Sequence, residues 1–130
     1  MSINITKEEH ERLKRNVETI ERYLKSEVMP RLRDYTRVVF KDAEPNRGIY
    51  HNYVISINPE RKQLRAFIGG GDYVFEKENV TEGTYGYRYI YEDEEYLFHL
   101  CKEWPRVKRE FNRQAEEQYK AYDQAFNFEL

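Results

Sequence analysis

"IYHNYVISINPERKQLRAFIGGGDYVF", residues 49–75, alternates apolar and polar positions and is cut twice by turn residues. Successive side chains of an extended chain point to opposite faces, so Ile49, His51, Tyr53, Ile55 and Ile57 share one side of a strand. "NPERKQ" and "GGGD" interrupt the pattern with Asn, Pro and Gly, and alternation resumes in "LRAFI" (64–68) and "YVFEKENV" (73–80). Connections this short predict antiparallel neighbours, because a parallel return needs a crossover of roughly a dozen residues or more. The triplet Gly69–Gly71 reads as a hairpin turn. A phosphate-cradling loop would continue into Lys-Ser/Thr and a helix, whereas here Asp72 and a strand follow.

Working outward, "YTRVVF" (35–40) adds a strand upstream, separated from the first by the turn chemistry of Pro45, Asn46 and Gly48. Downstream, "TYGYRYIYEDEEY" (84–96) sets tyrosine at every second position. As a strand it places Tyr85, Tyr87, Tyr89 and Tyr91 on one face and Gly86, Arg88, Ile90 and Glu92 on the other. The second set is too polar for a main core surface, so the tyrosines are expected to turn toward the helices.

Residues 6–33 predict a long helix. Thr6 and Glu9 fit a capping box, and Leu13, Val17, Ile20, Leu24, Val28 and Leu32 recur at steps of three and four as one apolar stripe. Glu8–Arg12, Glu11–Arg15, Glu18–Arg22 and Glu21–Lys25 each set an acid four residues before a base. Pro30 is expected to kink this helix or start a new short one. The stripe has two uses: packing on the chain's own sheet, or pairing across a homodimer through the N-terminal helix. The last third returns to helix, with Asp93 as cap and an acidic first turn. Pro105 is expected to interrupt or kink it, after which Val107, Phe111, Ala115, Tyr119, Tyr122 and Phe126 continue an apolar stripe. The expected architecture is α+β: a long N-terminal helix, an antiparallel sheet of four to five strands, and a C-terminal helical arm packed with the first helix on one sheet face. The other face should be relatively polar, and residues 1–130 should form a single domain.

Charge narrows function. With 22 basic and 24 acidic side chains, the chain lacks the basic excess that drives nonspecific nucleic-acid binding. The single cysteine, Cys101, excludes an internal disulfide and a multi-cysteine metal site. His10, His51 and His99 are scattered without paired-ligand spacing, so no metal and no cofactor are expected. No apolar run reaches the roughly 20 residues of a membrane span, and the opening residues lack a secretory pattern, so a cytoplasmic protein is expected.

Two features remain as candidate partner- or anion-binding sites. Tyr87, Arg88, Tyr89 and Tyr91 combine rigid rings with a guanidinium, the composition of binding hot spots. Lys102, Arg106, Arg109 and Arg113 recur at four, three and four along one side of the C-terminal helix, where arginine forks suit phosphate or carboxylate. The interleaved Glu103, Glu110, Glu116 and Glu117 offer that row partners within the helix. No acid–base or nucleophile constellation is legible. The expectation is a non-enzymatic protein-binding domain that docks on a macromolecular partner, as an inhibitor, an immunity protein or a phage-encoded accessory protein does. The alternatives are a nucleotide- or nucleic-acid-binding module using the arginine row and tyrosines, or a small enzyme with an unrecognised site.

Overall fold

A computed structural model describes residues 4–41, 52–69, 71–76 and 88–126. Helix α1 runs Lys7–Tyr23. Thr6 caps it: its hydroxyl accepts from the Glu9 N–H at 3.1 Å and donates to the Glu9 carboxylate at 3.2 Å. The helical path then widens into a π-turn at Leu24–Val28 and tightens into a 3₁₀ turn at Met29–Arg31. Pro30 explains the sequence of turns. It cannot donate, and its ring would strike the carbonyl four residues back, so the chain leaves α-register just before it. Met29 N–H instead reaches the Leu24 carbonyl, and Leu32 turns extended. All six residues of the apolar stripe, Leu13 through Leu32, are buried in the domain's own core. This stripe is therefore not available to a second chain. Of the four expected i,i+4 pairs, Glu21–Lys25 forms at 2.9 Å, while Lys14 reaches Glu11 and Arg22 turns to Thr19. Lys25 also bridges to Glu76, tying the π-turn to the residues just after β4.

Five strands follow: β1 Thr36–Lys41, β2 Tyr53–Asn58, β3 Gln63–Ile68, β4 Gly71–Val74 and β5 Arg88–Tyr89. They lie side by side in sequence order, the first three pairings antiparallel. Both hairpins use left-handed residues where the chain reverses, Lys62 at φ 53° and Gly69 at φ 58°. The chain thus turns at Gly69, which supplies the positive φ without a steric cost, and Gly71 already belongs to β4. The last pairing is parallel, which corrects the expected all-antiparallel sheet. Its cause lies in length: β4 ends at Val74, leaving positions 75–87, roughly the dozen residues that a parallel return needs.

Thr36, Val38, Phe40, Tyr53, Ile55, Ile57, Leu64, Ala66 and Tyr73 face the helices and are buried. The opposite face is less polar than expected. Register aligns Val39, Val54 and Phe67 across it, ending at Asp72 on β4, and sets Arg37, Ser56, Arg65 and Val74 in the next row. Val54, Ser56 and Val74 are buried there.

Positions 84–87 of the expected tyrosine strand lie outside the described residues, and at its other end the strand stops sooner than its alternation suggests. Within the described residues only Arg88 and Tyr89 are extended, and Ile90–Glu92 closes a 3₁₀ turn. The turn breaks the two-residue period, so Ile90 and Tyr91, predicted on opposite faces, are both buried in the core. Asp93 then accepts from the Tyr96 N–H at 3.0 Å and starts α2, Glu94–Phe126. His10 fastens this start to α1, its Nε2 3.0 Å from the Tyr91 carbonyl and its Nδ1 3.2 Å from the Glu94 carboxylate.

Helix α2 continues through Pro105 without the interruption that was one of the two expected outcomes. Pro105 is exposed, so the Cys101 carbonyl that loses its helical donor lies toward the wet side of the helix, where water can take its place. Tyr96, Leu97, Leu100, Val107, Phe111 and Ala115 form the buried side of α2. The fully buried Tyr96 donates its hydroxyl to the Val54 carbonyl at 2.6 Å, and its ring meets those of Phe40, Tyr53 and Tyr73.

Candidate docking surface

The 33 residues of α2 make a rod of about 50 Å, whereas six-residue strands span about 20 Å. Running opposite to β1, the helix passes His99 beside Lys41 and Gln118 beside Thr36, then outruns the sheet. Its apolar stripe goes on into the overhang. Val107, Phe111 and Ala115 are buried, but Tyr119 and Tyr122 on the same line are 57% and 47% exposed.

The chain between Arg31 and β1 is folded against this end. The Gln118 carboxamide oxygen accepts from the N–H groups of Arg33 at 2.8 Å and Asp34 at 3.1 Å. Its nitrogen donates to the Thr36 hydroxyl at 2.7 Å, which in turn donates to the Asp34 carbonyl at 2.8 Å. One side chain thus fixes the residues on both sides of Tyr35, which is 54% exposed. Asn112 takes a hydrogen bond from the Arg31 guanidinium and donates to the Tyr23 hydroxyl at 3.0 Å. The result is a groove of about 450 Å³ lined by Pro30, Arg31, Arg33, Ala115, Glu116 and Tyr119.

Charge at this corner is set by what the arginines touch. Arg31 donates to the Glu27 carbonyl at 2.7 Å and to an amide oxygen, and Arg33 lies 4.5 Å from the centre of the Tyr122 ring. These partners are neutral, so both guanidinium groups keep their full charge beside the exposed rings. The lining acid, Glu116, is paired with Lys120 at 3.1 Å. Among the described residues, the exposed large apolar side chains are Tyr35, Tyr119 and Tyr122, and all three belong to this corner.

The residues singled out in the sequence have other surroundings. Tyr87 lies outside the described residues. Arg88 is exposed on β5, near the Tyr73 hydroxyl, whose pKa is raised by burial and by Asp93. Tyr89 is half-buried, 5.2 Å from the Tyr91 ring. Tyr91 is buried and donates to Glu21 at 2.5 Å; burial and that carboxylate hold its phenol protonated well beyond the usual range. The arginine row divides. Arg106 bonds Glu103 at 3.1 Å and the carbonyls of Val39 and Phe40 at 3.3 and 2.8 Å. Arg113 is gripped by Glu110 and Glu117 at 2.5 and 2.6 Å, and its hydrogen bonds hold the Glu110 carboxyl below the usual range. Arg109 is exposed and has no ion pair among the described residues. Among the described residues of the two sets, Tyr89 and Tyr91 share a ring contact, and Arg106 and Arg113 are each engaged by acids of α2.

Burial pushes the Cys101 thiol up to about 11, so it stays protonated and unreactive at neutral pH. Among the described residues no group of three or more His, Cys, Asp or Glu could hold a metal, and no helix is long and apolar enough to cross a membrane. No family model matches the chain, and neither the curated proteins nor the solved structures contain a significant match.

Proposed function

We propose that the domain is a non-enzymatic docking module that binds an acidic protein surface through the corner formed by Arg31, Arg33, Tyr35, Tyr119 and Tyr122. The observation carrying this reading is the coincidence of exposed tyrosines with two arginines that have no ion pair among the described residues. A tyrosine ring contributes contact area at little entropic cost, and arginine adds directional donors, so the pair concentrates binding energy. The unneutralised charge selects carboxylates in the partner and speeds encounter with them. A protein is favoured over a nucleic-acid strand because the chain, with 22 basic and 24 acidic side chains, lacks the basic excess that drives binding to a phosphate backbone. Inhibitors, immunity proteins and phage-encoded accessory proteins act by docking alone, and the reading belongs to that class.

The test pairs capture with affinity. Wild-type protein is used to capture partners from its native host, and the purified complex is titrated against Arg33→Glu and Tyr119→Ala/Tyr122→Ala variants with unchanged circular dichroism. The expected result is a protein partner whose affinity falls at least about tenfold in each variant, more steeply at low salt for the charge reversal. A partner that binds all variants equally, capture of nucleic acid in place of protein, or no capture overturns the reading.

A further inference from the structure

A second polar cluster lies at the opposite end of α2, about 29 Å along the helix from Gln118, and the docking surface does not use it. We propose that Lys41 and His99, with Lys102 beside them, form a binding site for a phosphate-class oxyanion.

The backbone is built to bring Lys41 there. Val39 pairs with Val54 but Lys41 pairs with Tyr53, so Phe40 and Lys41 together oppose one residue of β2. Such a bulge re-aims the side chain that follows it. In regular alternation Lys41 would point away from the helices, on the face opposite Phe40. Here its ammonium lies 5.5 Å from the centre of the Tyr53 ring and 3.1 Å from His99 Nε2. Arg106 holds the irregularity in place by donating to the two carbonyls flanking it, Val39 and Phe40.

The electrostatics then call for an anion. Lys41 is half-buried and has no carboxylate within ion-pair distance among the described residues; its contact is a ring nitrogen that must be unprotonated to accept from it. The acids nearby are already engaged, Glu95 by the Tyr53 hydroxyl at 3.3 Å and Glu103 by Arg106. The groups facing His99 are Lys41 from β1, Tyr53 from β2, and Glu95, Phe98, Lys102 and Glu103 from its own helix. Burial and the Lys41 charge keep its imidazole neutral below the usual histidine range. An oxyanion that displaces the direct Lys41–His99 contact and bridges the two groups reverses that balance. It accepts from the ammonium, His99 takes one proton from solvent and becomes a second donor, and the two positive charges match a phosphate dianion. A metal cation is disfavoured by the adjacent ammonium.

Because binding and proton uptake are linked, the titration of His99 reads occupancy. The full chain is titrated by NMR in phosphate and in chloride of equal ionic strength, the His99 ring signals being assigned with His99→Gln. The expected result is a midpoint at least about half a pH unit higher in phosphate, a coupling of about threefold. That shift should be lost in Lys41→Met, which keeps the apolar stem over Tyr53. Parallel titrations with adenosine monophosphate and with a phosphoserine peptide distinguish a nucleotide from a phosphorylated partner by which shift saturates at lower concentration. Equal midpoints in phosphate and chloride, or a shift that survives in a folded Lys41→Met protein, overturn the site. The wild-type comparison alone decides the matter if Lys41→Met does not fold. The docking reading is untouched by either result, since its residues lie at the other end of the helix.

Discussion

Replacing Gln118 by leucine tests how the docking corner is held. Its carboxamide makes three contacts with the segment leading into β1 and with the first residue of that strand: two backbone N–H groups at 2.8 and 3.1 Å and the Thr36 hydroxyl at 2.7 Å. A hydrogen bond of this kind contributes about 0.5–1.5 kcal/mol net, and the two N–H groups share one oxygen and can rehydrate when it is lost. The expected loss is therefore about 1–2 kcal/mol, with shape roughly conserved by leucine. Gln118→Glu should cost less. It keeps an acceptor for the N–H groups but sets a carboxylate oxygen against the Thr36 oxygen, whose proton is already given to Asp34. Urea denaturation measures the stability, and amide hydrogen exchange measures the local effect. The N–H groups of Arg33 and Asp34 should exchange at least about tenfold faster in Gln118→Leu, since their acceptor is gone. A loss under about 0.3 kcal/mol, with exchange at 33 and 34 unchanged, would show that the corner is positioned by something other than this clamp.

Other outcomes follow from single contacts. Tyr96→Phe keeps every ring contact but removes the buried hydrogen bond to the Val54 carbonyl, and should cost about 0.5–1.5 kcal/mol in urea melts, against about 3–5 kcal/mol for Tyr96→Ala. Lys62 sits at φ 53°, so Lys62→Val should destabilise by about 1 kcal/mol while Lys62→Gly is neutral or stabilising. For His99 the folded-state pKa lies below its ordinary 6.5, owing to burial and then to Lys41, so the unfolded chain binds the proton more readily. Its contribution to stability is full above that value and is lost as pH falls below it, by less than the one-proton limit of about 1.4 kcal/mol per pH unit. Melts between pH 7.5 and 5.5 in chloride should show this slope and lose it in His99→Gln.

Local signals made much of this architecture legible. The stripe from Leu13 to Leu32, the alternation of Tyr53, Ile55 and Ile57, the Asp93 cap and the turn at Gly69 each depend on neighbours within a few residues, where sequence and geometry are tightly coupled. What alternation could not convey was where it stops. A 3₁₀ turn at Ile90–Glu92 obeys no two-residue period, and the parallel partner of β4 is decided by a contact from Tyr73 to Arg88. That α2 continues through Pro105 depends on the exposure of that position, which the helix acquires only on packing. The arginine row carried its own explanation in the acids three and four residues away that grip Arg106 and Arg113. The stripe that exposes Tyr119 and Tyr122 was visible, but its overhang follows from comparing a helix length with strand lengths. The pairings of Gln118 with Arg33 and of Lys41 with His99 join residues far apart in the chain, one of them through a bulge that no residue type announces.

The central claim, that the domain works by docking through the arginine–tyrosine corner, is tested most directly by site-specific photo-crosslinking in the native host. A benzophenone side chain is placed at Tyr119, with a control at the exposed Glu11 on α1 near the other end of α2. The account predicts one dominant crosslinked protein from position 119, little from position 11, and loss of the crosslink when Arg33→Glu is added. Equal crosslinking from both positions, or a crosslink at 119 that persists with Arg33→Glu, would contradict it.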